Sequence, residues 1–313
     1  MSEFEKLKIV TKYELLKQFR RKRFYGVLAI TILALVLTIG LYKGLDLPGK
    51  MQQTIIDQRL ENIREQLPDN MPEEMRENLL ALAREDIIRQ LEQAGIRDSA
   101  EFFAVWVTSM GSLAILGAVF FGGDSIASEF EHKTGYVLFP NPVKRITLVV
   151  GKYLAYFIAA AVILVIAYLI SAGALLGFYR QVPVGILGSL AIALMLACCV
   201  ISMAFAFSSV LKGGMGATIA TLLTFMMISP IISMALSYAG YNPWFMPDRG
   251  ADAIAATYGV SFEEFTAGMM SGGMFGGMAQ ASQDPTLSFL VLLAYAVVLF
   301  QVSIWMTKRR EMI

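Results

Sequence analysis

The cluster Arg20-Arg21-Lys22-Arg23 runs straight into an apolar stretch from Phe24 to Tyr42. That stretch has the length, about 20 residues, that a helix needs to cross the hydrocarbon of a bilayer. Comparably apolar runs follow near Phe102–Gly122, Ile146–Phe178, Val184–Leu211, Gly214–Tyr238 and Leu287–Met306. The expected fold is all-α, a polytopic membrane bundle of six transmembrane helices. The third and fourth runs exceed the minimum, so tilt or extension beyond the bilayer is expected. The first run is too long and lies too far into the chain for a cleaved signal peptide, and no small-residue cleavage site follows it.

Composition agrees. Charged residues make up 16% of the chain and the mean hydropathy is +0.59, whereas a soluble domain carries roughly 25% charge. The net charge of +1 hides a segregation along the chain. Lys6, Lys8, Lys12, Lys17 and the basic cluster precede the first run, Lys133, Lys144 and Arg145 follow the second, Lys212 follows the fourth, and Lys308-Arg309-Arg310 closes the chain. All fall on one side if both termini are cytoplasmic, as the positive-inside rule requires. The segment Gly240–Pro285 has Arg249 against Asp248, Asp252, Glu263, Glu264 and Asp284, and reads as external. No broad basic surface points to nucleic acid.

Residues 1–23 read as a helix in the membrane interface, with Ile9, Tyr13 and Leu16 on one face and Phe19 close to it. Residues 44–100 read as an external helical hairpin. Ile56, Leu60, Ile63 and Leu67 recur at helical spacing, Pro68-Asp69-Asn70 breaks the pattern, and Met75, Leu79 and Leu82 resume it. Asn70 can cap the second helix with Pro72 in its first turn, and Gly95 can stop it. Such a hairpin is small, so it should pack on another subunit or on the other external segment. In that segment Ser261 and Glu264 have capping-box spacing. The stretch Gly268–Met278, which holds Met269, Met270, Met274 and Met278, reads as apolar filler rather than a Cu(I) site. Cys198 and Cys199 are adjacent and cannot pair with each other; they read as apolar thiols.

Several chemistries lack their residues. There is no G-x-x-x-x-G-K-[ST] phosphate loop, no G-x-S-x-G elbow and no metal-ligand spacing around the single histidine, His132. Ionisable residues are almost absent from the apolar runs; Asp124 and Lys152 lie near their ends. That argues against self-sufficient proton coupling. Ser202, Ser208 and Thr224 leave sodium coupling open, although hydroxyls in spans commonly bond helix to helix.

The segment Asp124–Arg145 reads DSIASEFEHKTGYVLFPNPVKR. Ile126 and Phe130 can lie beneath a short helix whose upper face carries Glu129 and Glu131, with Gly135 and the prolines ending it. With its Glu129, Glu131, Thr134-Gly135, Leu138-Phe139, Pro140 or Pro142 and Lys144-Arg145 in that order, and with the six-run topology around it, the chain resembles the type-2 ABC transporter permeases. The resemblance implies a permease subunit of an exporter without its own ATP site. It implies ABC ATPase partners that bind ATP and Mg, a second permease copy, and a plasma-membrane location. It makes Ile126, Glu129, Phe130, Glu131, His132, Lys133, Thr134 and Gly135 the ATPase-coupling residues. The hairpin 44–100 is longer than in minimal members of that family. A stand-alone carrier or channel and a non-transporting scaffold are the competing readings.

Overall fold

The computed structural model describes residues 2–68, 71–93, 95–111, 113–123, 125–127, 144–211, 213–260 and 283–309. Among these residues the structure is helical and has no strand. A chain in lipid must satisfy its backbone hydrogen bonds within itself, and a helix does so segment by segment. Among the described residues, five helices are long and apolar enough to cross a membrane. They are α2 (Lys22–Gly44), α7 (Arg145–Tyr179), α8 (Gly185–Val210), the continuous run from α9 (Gly214–Leu223) to α10 (Ser229–Tyr238), and α12 (Pro285–Arg309). The expected second run is described in two helical stretches, α5 (Ala100–Gly111) and α6 (Leu113–Gly123), on either side of position 112, which lies outside the described residues.

Three faces of the bundle are apolar and uncovered. On α2, Ile30, Leu33, Val36 and Leu37 are exposed, on α9–α10 Ile219, Met226, Met227 and Ile231, and on α12 Leu290, Val297 and Val298. Contiguous patches of that kind are rare on soluble monomers and suit a multi-pass membrane chain. The exposed aromatic residues Tyr25 and Trp305 lie at one end of the bundle, and Tyr238, Tyr241 and Trp244 at the other. Tyr and Trp gather at the two membrane–water boundaries. We call these the terminal end, where α12 finishes, and the hairpin end.

The helix α8 is the hub. It packs against α6, α7, α9 and α12, and Ala193, Ala197, Cys199, Val200, Ala204 and Phe205 are buried on it. Cys198 is partly buried and Cys199 fully buried, both with free thiols. Tyr153 of α7 hydrogen-bonds Ser202 of α8 at 2.9 Å, and Tyr168 bonds Ser189 at 2.7 Å. Thr224 opens a widened π turn, Thr224–Ile228, between α9 and α10. The cause is Pro230, which has no N–H to donate and crowds the turn before it.

At the hairpin end, α3 (Leu47–Gln66) and α4 (Glu73–Gln93) lie against the bundle. Ile55, Ile56, Ile87 and Leu91 share a core with Tyr42, Phe102, Phe103, Tyr258 and Val260. Each such side chain, fully buried, contributes about 1.5–3 kcal/mol relative to exposure. Gly95, at φ +78°, closes α4. Ile96 N–H reaches Leu91 C=O at 2.9 Å and Gly95 N–H reaches Glu92 C=O at 3.1 Å, the Schellman pattern. Pro72 sits just ahead of α4 rather than in its first turn, and Asn70 lies outside the described residues.

The segment after α10 does not stay outside the bundle. Its helix α11 (Arg249–Ala256) is inserted between α5, α8 and α12, with Ala253 and Ile254 fully buried. A side chain at Gly250 would collide with Leu292 at 2.8 Å, seven residues into α12. Asp248 accepts hydrogen bonds from Ser229 and Ser233 of α10, the latter at 3.0 Å. Arg249, buried, pairs with Asp252 at 2.6 Å. The positions 261–282, with the capping box and the methionines, lie outside the described residues.

Candidate functional site: the anchors of the α6–α7 segment

Of the residues expected to couple to an ATPase, Ile126 is described and is buried in the main core. Glu129, Phe130, Glu131, His132, Lys133, Thr134 and Gly135 lie outside the described residues. What the structure does define is how the segment is fastened at each end.

Its start is fastened to α8. Ile126 N–H and Ala127 N–H both donate to Ser208 Oγ, at 3.0 and 2.9 Å. The first N–H groups of a helical turn have no partner within the turn and are normally capped by a neighbouring side chain. Here the cap comes from a residue about 80 positions away. Two glycines make the approach possible. A Cβ at Gly122 would stand 2.7 Å from Ala204 Cβ, and one at Gly123 would stand 2.2 Å from Thr218 Oγ1 and 2.7 Å from Thr218 Cα. The end of α6 therefore touches α8 and α9 backbone to backbone.

Its end is fastened to α1 (Glu3–Arg20), which lies along the first turns of α7. A capping box starts α1: Glu5 N–H donates to Ser2 Oγ at 3.2 Å and Ser2 N–H to Glu5 Oε2 at 2.8 Å. Glu3 lies 3.8 Å from Lys144 Nζ and accepts from the Thr147 hydroxyl at 3.2 Å. What desolvation Glu3 feels pushes its carboxyl up; Lys144, the Thr147 hydroxyl and Lys6 outweigh it and hold the group below its ordinary value. Two turns on, Lys152 Nζ meets Glu14 Oε1 at 2.8 Å with both residues buried. Lys17 Nζ stands 4.0 Å from the other carboxylate oxygen. Gly151 lets Val10 close in; a Cβ there would meet it at 2.6 Å.

Ser208 is one of the three hydroxyls for which the sequence leaves sodium coupling or helix–helix bonding open. The structure makes it a cap for the segment's first N–H groups. No sequence signal could show this, because the partners are remote. Among the described residues no cluster of three or more His, Cys, Asp or Glu is placed to hold a metal.

An all-helical, multi-pass membrane protein with a segment held at both ends by neighbouring helices is the class defined so far. The sequence pattern of the family described as ABC-2 family transporter protein matches residues 8–312, and the chain belongs to that family. Membership implies association with ABC ATPase partners at a membrane. No curated protein matches the chain.

Proposed function

We propose that this chain is the membrane-spanning permease subunit of an ATP-driven ABC exporter. It has no ATP-binding motif of its own, and a separate ABC ATPase binds ATP and Mg and hydrolyses it. Two permease copies pair in the plasma membrane. Both termini are cytoplasmic, α5 and α6 together make the second of six spans, and residues 44–100 and the ends of 240–285 face outward. Residues 124–145 are the coupling element, in which Glu129 and Glu131 meet the ATPase.

The observation that carries this reading is the double fastening of that element. A lever transmits force only if its ends are fixed to the parts that must move. Here one end hangs from α8 through Ser208, and the other continues into α7 beneath α1. A push on the segment would reach α6, α7 and α8 together.

The test is charge reversal. Glu129→Lys with Glu131→Lys should lower the ATPase co-purified per permease and abolish substrate-stimulated hydrolysis, while membrane insertion stays intact. At a desolvated interface the loss is about 2–5 kcal/mol. Full complex and full stimulated activity in the double variant would remove the coupling role.

A further inference from the structure

The helix α1 has two faces of opposite chemistry, and the fold explains only one. Two of its three carboxylates are turned to protein, Glu3 to Lys144 and Thr147 and Glu14 to Lys152, and the third, Glu5, is exposed and accepts from the Ser2 N–H. Its exposed bases are Lys8, Lys12 and Arg20, with Lys22 exposed just beyond. Between those bases stand Ile9, 55% exposed, Tyr13, 69%, and Leu16, 48%. At about 100° per residue, these α1 bases and apolar side chains occupy an arc of about 140°. Glu5 falls within the arc, but its carboxylate is held by its capping box.

The level of this face is set by α7. A 35-residue helix is about 52 Å long, against about 30 Å of hydrocarbon. Upright, α7 exceeds the hydrocarbon by about 22 Å, and its turns that carry α1, from Thr147 to Lys152, are the first at its terminal end. Arg21 leaves the helical region at φ −78° and ψ 135°, so α1 turns off the axis of α2 instead of prolonging it. Tyr25 and Trp305, which is stacked by Arg309 at 3.9 Å, mark the headgroup region at the same end.

We propose that this face of α1 is a docking surface for anionic phospholipid headgroups. Ile9, Tyr13 and Leu16 enter the boundary between headgroup and acyl chain, and Lys8, Lys12, Arg20 and Lys22 meet the lipid phosphates. A positively charged amphipathic face binds by apolar burial together with attraction to anionic lipid. Each lysine near such a surface weights the bound state by about fivefold. The inference requires that the chain spans a membrane; it needs neither an ATPase partner nor a direction of transport.

The test is amide hydrogen exchange of α1 in the full chain, in nanodiscs of phosphatidylcholine alone and of phosphatidylcholine mixed with phosphatidylglycerol. Exchange in α1 should be about tenfold slower with phosphatidylglycerol, and high salt should erase the difference. Lys8→Gln with Lys12→Gln should abolish most of the difference without changing exchange in α7. Ile9→Ser with Leu16→Ser should raise α1 exchange in both lipids. Equal exchange in the two lipids for the unaltered chain overturns the proposal. So does a difference that survives the lysine substitutions, or protection that appears only when an ATPase is added, whatever the lipid; the last outcome assigns the face to a protein and leaves the permease reading intact.

Discussion

At the terminal end, Glu14 and Lys152 meet at 2.8 Å with side chains 8% and 7% exposed. At the hairpin end, Lys43 and Asp98 meet at 3.0 Å with side chains 30% and 51% exposed. The distances barely differ, so geometry does not separate the two pairs; their surroundings do. Water can replace either partner at the hairpin end, and Lys43 also lies over the Tyr179 ring at 4.4 Å, whose hydroxyl donates to Asp98. No water replaces Lys152 beside Glu14. An exposed pair is worth about 0–1 kcal/mol, whereas breaking a buried one leaves a charge without its counterpart and costs about 3–5 kcal/mol. The hairpin is thus held by apolar contact with its charges as trimming, and α1 is held by a charge pair that cannot be halved.

The sharpest way to break this contrast is Lys152→Ala. Lys17 offers Glu14 a weaker substitute at 4.0 Å, so the expected loss is about 3 kcal/mol of α1 docking. It would appear as faster amide exchange throughout α1, and the swapped pair Glu14→Lys with Lys152→Glu should recover part of it. Next comes Gly123→Ala. The added methyl would meet the backbone of Thr218, which cannot swing aside, so a cost of about 1–3 kcal/mol is expected as a lower unfolding temperature. Ser208→Ala should cost about 1–2 kcal/mol through loss of the cap on Ile126 and Ala127. Its signature is faster exchange confined to residues 125–127 and the segment after them. The smallest effect is Lys43→Ala, expected within about 1 kcal/mol and reduced further by salt. If Lys43→Ala proves as damaging as Lys152→Ala, exposure is the wrong basis for the comparison.

The apolar runs could be read as helices because length and composition decide what lipid tolerates. The bounds of α2, α7, α8 and α12 lie close to the expected ones, and Gly95 ends α4 as its lack of a side chain suggests. Tyr13 and Ile9 could be assigned to one face because that face repeats locally. What periodicity cannot carry is the identity of a remote partner. Glu14 and Lys152 are 138 positions apart, and nothing near either one points to the other. Ser208 is one hydroxyl among many in the spans. The insertion of α11 was hidden for a different reason: Asp248, Arg249 and Asp252 count as external charge, yet Ser229 and Ser233 of α10 bond Asp248, and the exposed Asp252 pairs with the buried Arg249. Of the coupling residues, the buried root Ile126 has a described place, while the role of Glu129 and Glu131 still rests on the loop's sequence.

Hanging Ile126 and Ala127 from Ser208 also limits how this protein can be recombined. A chimera that transplants residues 124–145 from another permease, cut at the ends of α6 and α7, would carry the segment but leave its hook behind. A recipient with alanine at the position of Ser208, or with a larger residue in place of Gly123, would receive the right letters on the wrong mount. The transferable unit is the segment with the last turns of α6 and α8 and the first turn of α9, three pieces scattered over about 100 positions of chain and contiguous in space alone.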